Sequence, residues 1–457
     1  MDSSSESLIH AGDYKIEQLL ITSPSTEATA DITDFMMEIN LYEDLFSFCM
    51  TGNVILADAA NLISNLPIVG NEFITVKFRT PTLEDSPENV IQKTFQVYAI
   101  YDRILNDDRS QFYNISFISP EGYENQTTVV GKSYNDSTDA VVKKIYEEYI
   151  EVDRPLIIFD TPHVSRIKYT SNYWSPFKNM NFVAKRAKGN TLNGSDYLFF
   201  ETNKSFYFAS IESLIDAQIK GGIFDEYVLE RNGAKMPRRI NPSLTYVGNQ
   251  FPSSMTAIEN LKLLTSIDTL DGNNRAAFAS TIDGYDFYTK KIVRSDFDFI
   301  ENMDKFQKTG PTNILPPNLK RNALSNKTYY SQNTGLYNDF GLTDEEDLPA
   351  GSTAQTIVDR ISNRKSYLNS FENYKFEATL PGRTDINVGH VISLLYPSAE
   401  APTAGSTSTV LDPMLSGLYI ISAIHHKFNA DRHIMTVEMI KNGLSDSPDS
   451  VDMSGEE

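Results

Sequence analysis

Cysteine is almost missing from this chain of 457 residues: Cys49 stands alone, so neither an intrachain disulfide nor a multi-cysteine metal site can form. Tryptophan is equally scarce, with Trp174 alone. Basic residues are outnumbered, 40 Lys and Arg against 61 Asp and Glu. The resulting formal charge of −21 argues against the clustered positive surface that grips phosphate backbones. It does not forbid DNA from passing close by: an acidic wall repels DNA and suits a conduit, while simple solubility is the default reading of the same charge. Long hydrophobic runs are lacking too. Val54 to Val69 is broken by Asp58, Asn61, Asn65 and Pro67, so no membrane insertion is expected. Met1 to Thr22 lacks a basic start followed by an apolar core, so no secretory signal is expected and the chain is expected to fold in a cytoplasm.

Motifs that carry chemistry are also missing. There is no phosphate-cradling Gly-rich loop with a Lys, no dinucleotide fingerprint, no Gly-x-Ser-x-Gly elbow and no His-Glu-x-x-His helix. His425, His426 and His433 come nearest to a metal set, but adjacent strand residues face opposite ways, so His425 and His426 cannot share an ion without distortion. The run Asp344 to Asp347 lacks the ligand spacing and Gly of a calcium loop. A carboxylate pair of the glycosidase kind could hide among so many acids, but one sequence cannot isolate it. Trp174 and Phe199-Phe200 read as core. No catalytic residue, cofactor-binding residue or metal ligand is nominated, no cofactor is expected, and the chain is expected not to be an enzyme.

What is present is a β-hairpin module that occurs twice. Phe95 to Tyr101 runs into Asn106-Asp107-Asp108-Arg109 and out through Phe112 to Ile118. Gly417 to Ile424 runs into Asn429-Ala430-Asp431-Arg432 and out through Ile434 to Ile440. A Gly-led apolar strand precedes each copy, Gly70 to Val76 and Gly389 to Leu395. Asn-x-Asp-Arg alone is ordinary turn chemistry. The repeated order of parts points to duplication, and two small barrels per chain would let three chains present six in a ring.

The length allows three or four domains, and 24 Tyr with 26 Phe supply packed cores. Residues 1–30 read as an arm with one strand, Tyr14 to Ile21. Residues 31–125 read as a first β-barrel with strands Ile32 to Tyr42, Leu45 to Met50, Gly52 to Ala57, Phe73 to Phe78, Phe95 to Tyr101 and Tyr113 to Ile118. Residues 126–240 read as mixed α and β. One helix follows Ser137 with Val141, Val142, Ile145, Tyr146 and Tyr149 on one face, and another is capped by Ser175 and started by Pro176, with Phe177, Met180, Phe182 and Val183 buried. A hairpin follows, Tyr197 to Phe200 and Phe206 to Ala209. Residues 241–307 and 352–444 read as a second barrel. They include strands 285–288 and 295–299, a helix opened by Ser352 and Gln355, and Tyr374 to Leu380. Residues 308–351 are an irregular insertion, 399–409 a loop, and 445–457 a disordered acidic tail. The fold class expected is mainly β with α+β: two duplicated small antiparallel barrels, a mixed domain and the insertion.

This order of parts resembles the baseplate central hub family of contractile-tailed phages such as T4, within the broader tail-hub and type VI secretion spike-base group. The resemblance rests on Ile32-Thr33-Asp34-Phe35 and Gly70-Asn71-Glu72 in the first barrel. In the middle it rests on Phe177 to Val183 followed by Gly194 to Phe200, and at the end on Thr384 to Ile392 with the Gly417 to Gly443 hairpin. It spans about three quarters of the chain through diffuse strand patterns rather than a fingerprint. It implies a homotrimer in the virion tail, assembled in the host cytoplasm, whose two barrels per subunit form a pseudo-sixfold torus. Its implied partners are the tail tube, the central spike and other baseplate proteins, with DNA passing through the channel unbound. The insertion at 308–351 departs from the family. The alternatives are a carbohydrate-degrading tail enzyme and a host-binding adhesin.

Overall fold

The computed structural model describes residues 10–66, 68–81, 83, 86–87, 89–107, 110–150, 154–160, 166–222, 225–229, 253–266, 268–275, 277–286, 291–314, 354–398 and 411–445. The N-terminal part is sheet: β1 (Lys15–Ser23), β2 (Ala28–Asp31), β3 (Met36–Asp44), β4 (Thr51–Asp58), β5 (Phe73–Arg79), β6 (Val90–Asp107) and β7 (Ser110–Ile118), with short helices α1 (Leu62–Asn65) and α2 (Pro120–Thr127). In β5 the alternation of Ile74, Val76 and Phe78 with Thr75 and Lys77 puts the apolar set inward, as a sheet with one buried face requires. The strand expected over Leu45 to Met50 does not form. Asp44 turns the chain there instead, its Oδ1 accepting from the Phe46 N–H at 2.7 Å and its carbonyl from the Ser47 N–H at 3.1 Å. Conversely, β6 runs well beyond Tyr101, carried by bulges on both sides of it and by Asp102 in the left-handed region at φ 52°.

The middle part contains β8 (Ser133–Ser137), α3 (Thr138–Tyr149), β9 (Leu156–Ile158), β10 (Arg166–Thr170), α4 (Pro176–Ala184), β11 (Tyr197–Glu201), β12 (Phe206–Ser210), α5 (Ile211–Gly221) and β13 (Glu226–Val228). Val141, Val142, Ile145 and Tyr146 of α3 and Phe177, Met180 and Val183 of α4 are buried as their helical spacing demands. Ser137 and Ser175 stand at the N-cap positions, yet neither side chain makes a capping bond. Ser210 does cap α5, accepting from the Ser213 N–H at 3.0 Å.

The C-terminal part contains β14 (Asn260–Ser266), α6 (Thr269–Asn274), β15 (Ala279–Asp286), β16 (Lys291–Asp298), α7 (Phe299–Asn302), β17 (Thr312–Asn313), α8 (Ala354–Ser370), β18 (Tyr374–Pro381), β19 (Val391–Leu395), β20 (Gly417–Asn429), β21 (His433–Lys441) and β22 (Gly443–Leu444). The alternating runs near 285 and 295 belong to β15 and β16, which among the described residues pair only with each other and pack on α8. Ser352, Asp108, Arg109, the loop 399–409, residues 315–351 of the insertion and residues 446–457 of the tail lie outside the described residues.

Among the described residues, thirteen strands join in one mainly antiparallel sheet. Its path runs β14-β18-β21-β20-β3-β4-β7-β6-β5-β1-β2, with β19 on β20 and β13 on β19. In the N-terminal half the order is therefore β3-β4-β7-β6-β5, and in the C-terminal half β14-β18-β21-β20-β19. The registers carry the same irregularity. β6 bulges against β7 between Val97 and Ala99, and β20 bulges against β21 between Ile421 and Ala423. At those bulges the Val97 N–H donates to the Glu72 carbonyl at 2.8 Å, and the Ile421 N–H to the His390 carbonyl at 2.9 Å. Glycines with positive φ lead into both supporting strands, Gly70 at 96° and Gly389 at 86°. The flanks differ: β1 pairs antiparallel with β5, whereas β13 pairs parallel with β19.

Three main apolar cores result. One lies in the N-terminal sheet, one in the middle part and one in the C-terminal sheet with α5 and α8. Phe428 crosses between halves: it ends β20 but sits in the N-terminal core, stacked on Phe78 at 4.2 Å between centroids. Phe428→Ala should therefore loosen both halves together, costing about 3–5 kcal/mol and lowering the midpoint of urea unfolding in a single transition.

Candidate assembly site at the joint between the two halves of the sheet

The two halves meet edge to edge, through β3 and the outer end of β20. Seven residue pairs run antiparallel from Ala423 opposite Asp44 to Asn429 opposite Glu38. Side chains seal the ladder on both faces. On the outer face, Lys427 pairs with Glu38 at 2.7 Å, His425 stacks on Tyr42 at 4.6 Å, and His425 Nε2 lies 2.7 Å from Asn40 Oδ1. On the inner face, Phe428 lies opposite Ile39 in the N-terminal core. The turn beyond β20 is held by Asn429 Oδ1, which accepts from the Arg432 N–H at 2.9 Å, and Arg432 reaches Glu259 at 2.7 Å.

The histidines divide accordingly. His425 faces out, while His426 and His433 face in and touch, Nδ1 to Nε2 at 3.1 Å. Burial pushes the His426 imidazole down to about 3 and holds His433 well below its ordinary value, so both are neutral. Gly382 makes room for the His433 ring, since a Cβ there would overlap it. Among the described residues no group of three or more His, Cys, Asp or Glu is arranged to hold a metal ion. Trp174 packs on Phe182 at 5.2 Å, and Phe199 and Phe200 enter different cores. Asp344 to Asp347 lie outside the described residues.

Buried charges tie the middle part to the joint, a feature sequence reading missed. Glu201 Oε2 accepts from the Met50 N–H at 2.8 Å and the Ser119 hydroxyl at 2.6 Å, while Oε1 meets Lys93 and Arg154. Burial alone would raise this carboxyl, but Lys93 and Arg154 outweigh it and hold Glu201 below the usual range. On β3, Glu43 accepts from the Asn203 N–H at 3.2 Å and the Val388 N–H at 3.4 Å, linking all three parts. Burial pushes its carboxyl up to about 7. Glu212 and Asp196 also come together at the start of α5. Burial, then repulsion from Asp196, raises Glu212 to about 7. Glu212 is tied to the backbone of Gly194 and Gln307, and Asp196 to the Glu212 N–H at 3.0 Å, so this carboxylate pair clamps a loop. Sequence gave no signal for it, because the two acids lie on separate elements.

The arrangement of two sheet segments joined edge to edge, with a mixed α and β part between them in sequence, is a fold with solved counterparts. The chain is similar to the tail protein from Neisseria meningitidis MC58, with a TM-score of 0.50 over 94% of this chain and 97% of that one, at 7% identity. The 43 kDa tail protein of prophage MuSo2 from Shewanella oneidensis gives 0.47 over 93% and 98%, at 9% identity. The prophage tail protein gp18 from Listeria monocytogenes EGD-e gives 0.47 over 93% and 95%, at 8% identity. No protein-family model matches the chain, and no curated protein matches it by sequence.

Two measurements check the buried charges. Glu201→Ala leaves Lys93 buried without its carboxylate and should cost about 3–5 kcal/mol in chemical unfolding, most of it recovered in the double variant Lys93→Met/Glu201→Leu. Glu43 acts through pH. The unfolded carboxyl ionises above about 4.5 while the folded one stays protonated until about 7. Its effect on stability is thus nil at low pH, turns unfavourable between those values and levels off above them. The stability of the wild type relative to Glu43→Gln should accordingly fall between pH 5 and 8, by up to about 3 kcal/mol.

Proposed function

We propose that this chain is a structural component of a phage-type tail, the central hub of a baseplate. In this reading the two halves of the sheet are copies of one small barrel-like module. Three chains set six modules in a pseudo-sixfold ring that joins a tail tube to a central spike and encloses a channel for DNA. The observation that carries the proposal is the repeated strand order, β3-β4-β7-β6-β5 and β14-β18-β21-β20-β19, with the bulge at the same place in both. A covalent pair of equivalent modules, already joined edge to edge, is one third of such a ring. The fold it shares with a tail protein supports the same reading.

The charge of −21 suits a conduit, because a polyanion meets repulsion rather than adhesion along an acidic wall. Residues 31–125, and 241–307 with 352–444, would supply the two modules. Residues 126–240 and the insertion 308–351 would meet neighbouring baseplate proteins and the spike, in a virion assembled in the host cytoplasm. The chain would act as scaffold, with no catalytic step of its own. Native mass measurement of the purified chain tests this: three copies are expected, with binding to a central spike protein. A stable monomer at micromolar concentration with no affinity for a spike would overturn it.

A further inference from the structure

The joint between β3 and β20 has two unfilled counterparts. By strand order β14 stands where β3 stands, and among the described residues its outer edge pairs with no strand. Likewise β6 stands where β20 stands. Its first residues, Val90 to Gln96, pair with β5, but beyond them its outer edge carries no strand among the described residues. In β20 the same stretch is the one filled by β3.

Apolar exposure marks the same two edges. Phe428, Ile39 and Leu41 are all buried in the filled joint. Their counterparts are Leu105, Leu261 and Leu263, placed by aligning the bulges at Ala99 and Ala423, the hairpin pairs Leu105–Gln111 and Phe428–His433, and the ladders of β14 on β18 and β3 on β4. Leu105 is 78% exposed and Leu263 42% exposed, and Leu261 is only partly buried. Ile104, beside Leu105 on β6, is 61% exposed, and Tyr101 49%. Tyr396, which takes the place of Phe78 just beyond β19, is half-buried against the C-terminal core and ready to receive Leu105 as Phe78 receives Phe428. A long, apolar, unpaired sheet edge is a template for another strand.

We propose that the filled joint is repeated between chains: β14 of one copy adds antiparallel to the outer edge of β6, residues 100–106, of a second copy. Transferring the register of β3 on β20 sets Leu105 opposite Leu261, Ile104 opposite Lys262 and Tyr101 opposite Thr265. The extra β6 residue at the Asp102 bulge and the β14 bulge between Leu263 and Thr265 fall at the same level. The contact is head to tail, so each chain offers one donor and one acceptor edge, and the series ends only by closing. This inference rests on the reading of the halves as copies, and adds which strands meet and in what register.

Cysteine pairs test it. Directly opposed antiparallel residues lie within disulfide reach, whereas a shift of four residues does not. Leu105→Cys/Leu261→Cys, oxidised in the full chain, should give a reducible ladder of two and three covalently linked copies. Leu105→Cys/Thr265→Cys should give none. Because Leu105 is exposed in the single chain, Leu105→Asp should leave the circular dichroism spectrum of the folded chain unchanged while the trimer is lost. A wild-type trimer that neither forms the 105–261 bond nor responds to Leu105→Asp would overturn this joint and leave the ring standing. Linking through 105 and 265 instead would overturn the register. A wild-type monomer would overturn the joint and the ring together.

Discussion

A strand at the edge of a sheet carries a row of amides and carbonyls that must find partners, and the union of the two halves of the sheet follows from how one such edge is satisfied. β3 has β4 on one side and would face water on the other. β20 is longer than its own neighbour β19 and leaves its last seven residues open. Each edge completes the other, residue for residue from Asp44 to Glu38. The pairing also carries Phe428 across, so that a residue of the C-terminal hairpin becomes part of the N-terminal core. The two halves thereby share both a hydrogen-bond ladder and a core.

Buried polar contacts then set the angle at which the middle part leans on this joint. Glu201 is fixed by groups from 50, 93, 119 and 154, and Glu43 reaches from β3 to residues 203 and 388. Thr384 accepts from the Thr80 N–H at 3.1 Å and donates to the Asn89 carbonyl at 2.6 Å, a further tie between halves. Desolvation cancels much of what such groups gain by pairing. Their contribution is geometric: each has a short reach and fixed partners, so any slip of the middle part would strand a buried charge or dipole.

How much of this was legible depends on where the partners lie in the chain. β4, β5, β7 and β18 could be read because one face of each is buried and the alternation shows directly. The hairpin turn at Asn429 was legible from its own side-chain chemistry. Leu45 to Met50 looked like a strand because its apolar residues serve cores on different sides, and only the turn made by Asp44 decides against it. The joint itself was invisible: nothing in Glu38 to Asp44 announces a partner nearly 400 residues away. β14 was also missed, its Lys262, Leu263 and Leu264 lacking the alternation of a strand with one buried face. The Glu201 cluster draws on five segments, each ordinary alone.

The filled joint and its unfilled counterparts differ in chemistry in the direction that connectivity predicts. Within one chain the two edges are tethered, so their effective concentration is high and the joint can form with little apolar surface. Its outer face accordingly holds an ion pair and a stacked imidazole, Lys427 with Glu38 and His425 with Tyr42. Edges on separate chains have no tether and must overcome the lost freedom of association. In the proposed joint Ile104 would stand where Lys427 stands, Tyr101 where His425 stands and the exposed Leu105 where Phe428 stands, so burial of apolar area would take over from charge. In a ring that alternates the two kinds of joint, three are made once when each chain folds and three form only when chains meet. Such a ring has three-fold rather than six-fold symmetry even where its modules look alike, because alternate joints have different chemistry.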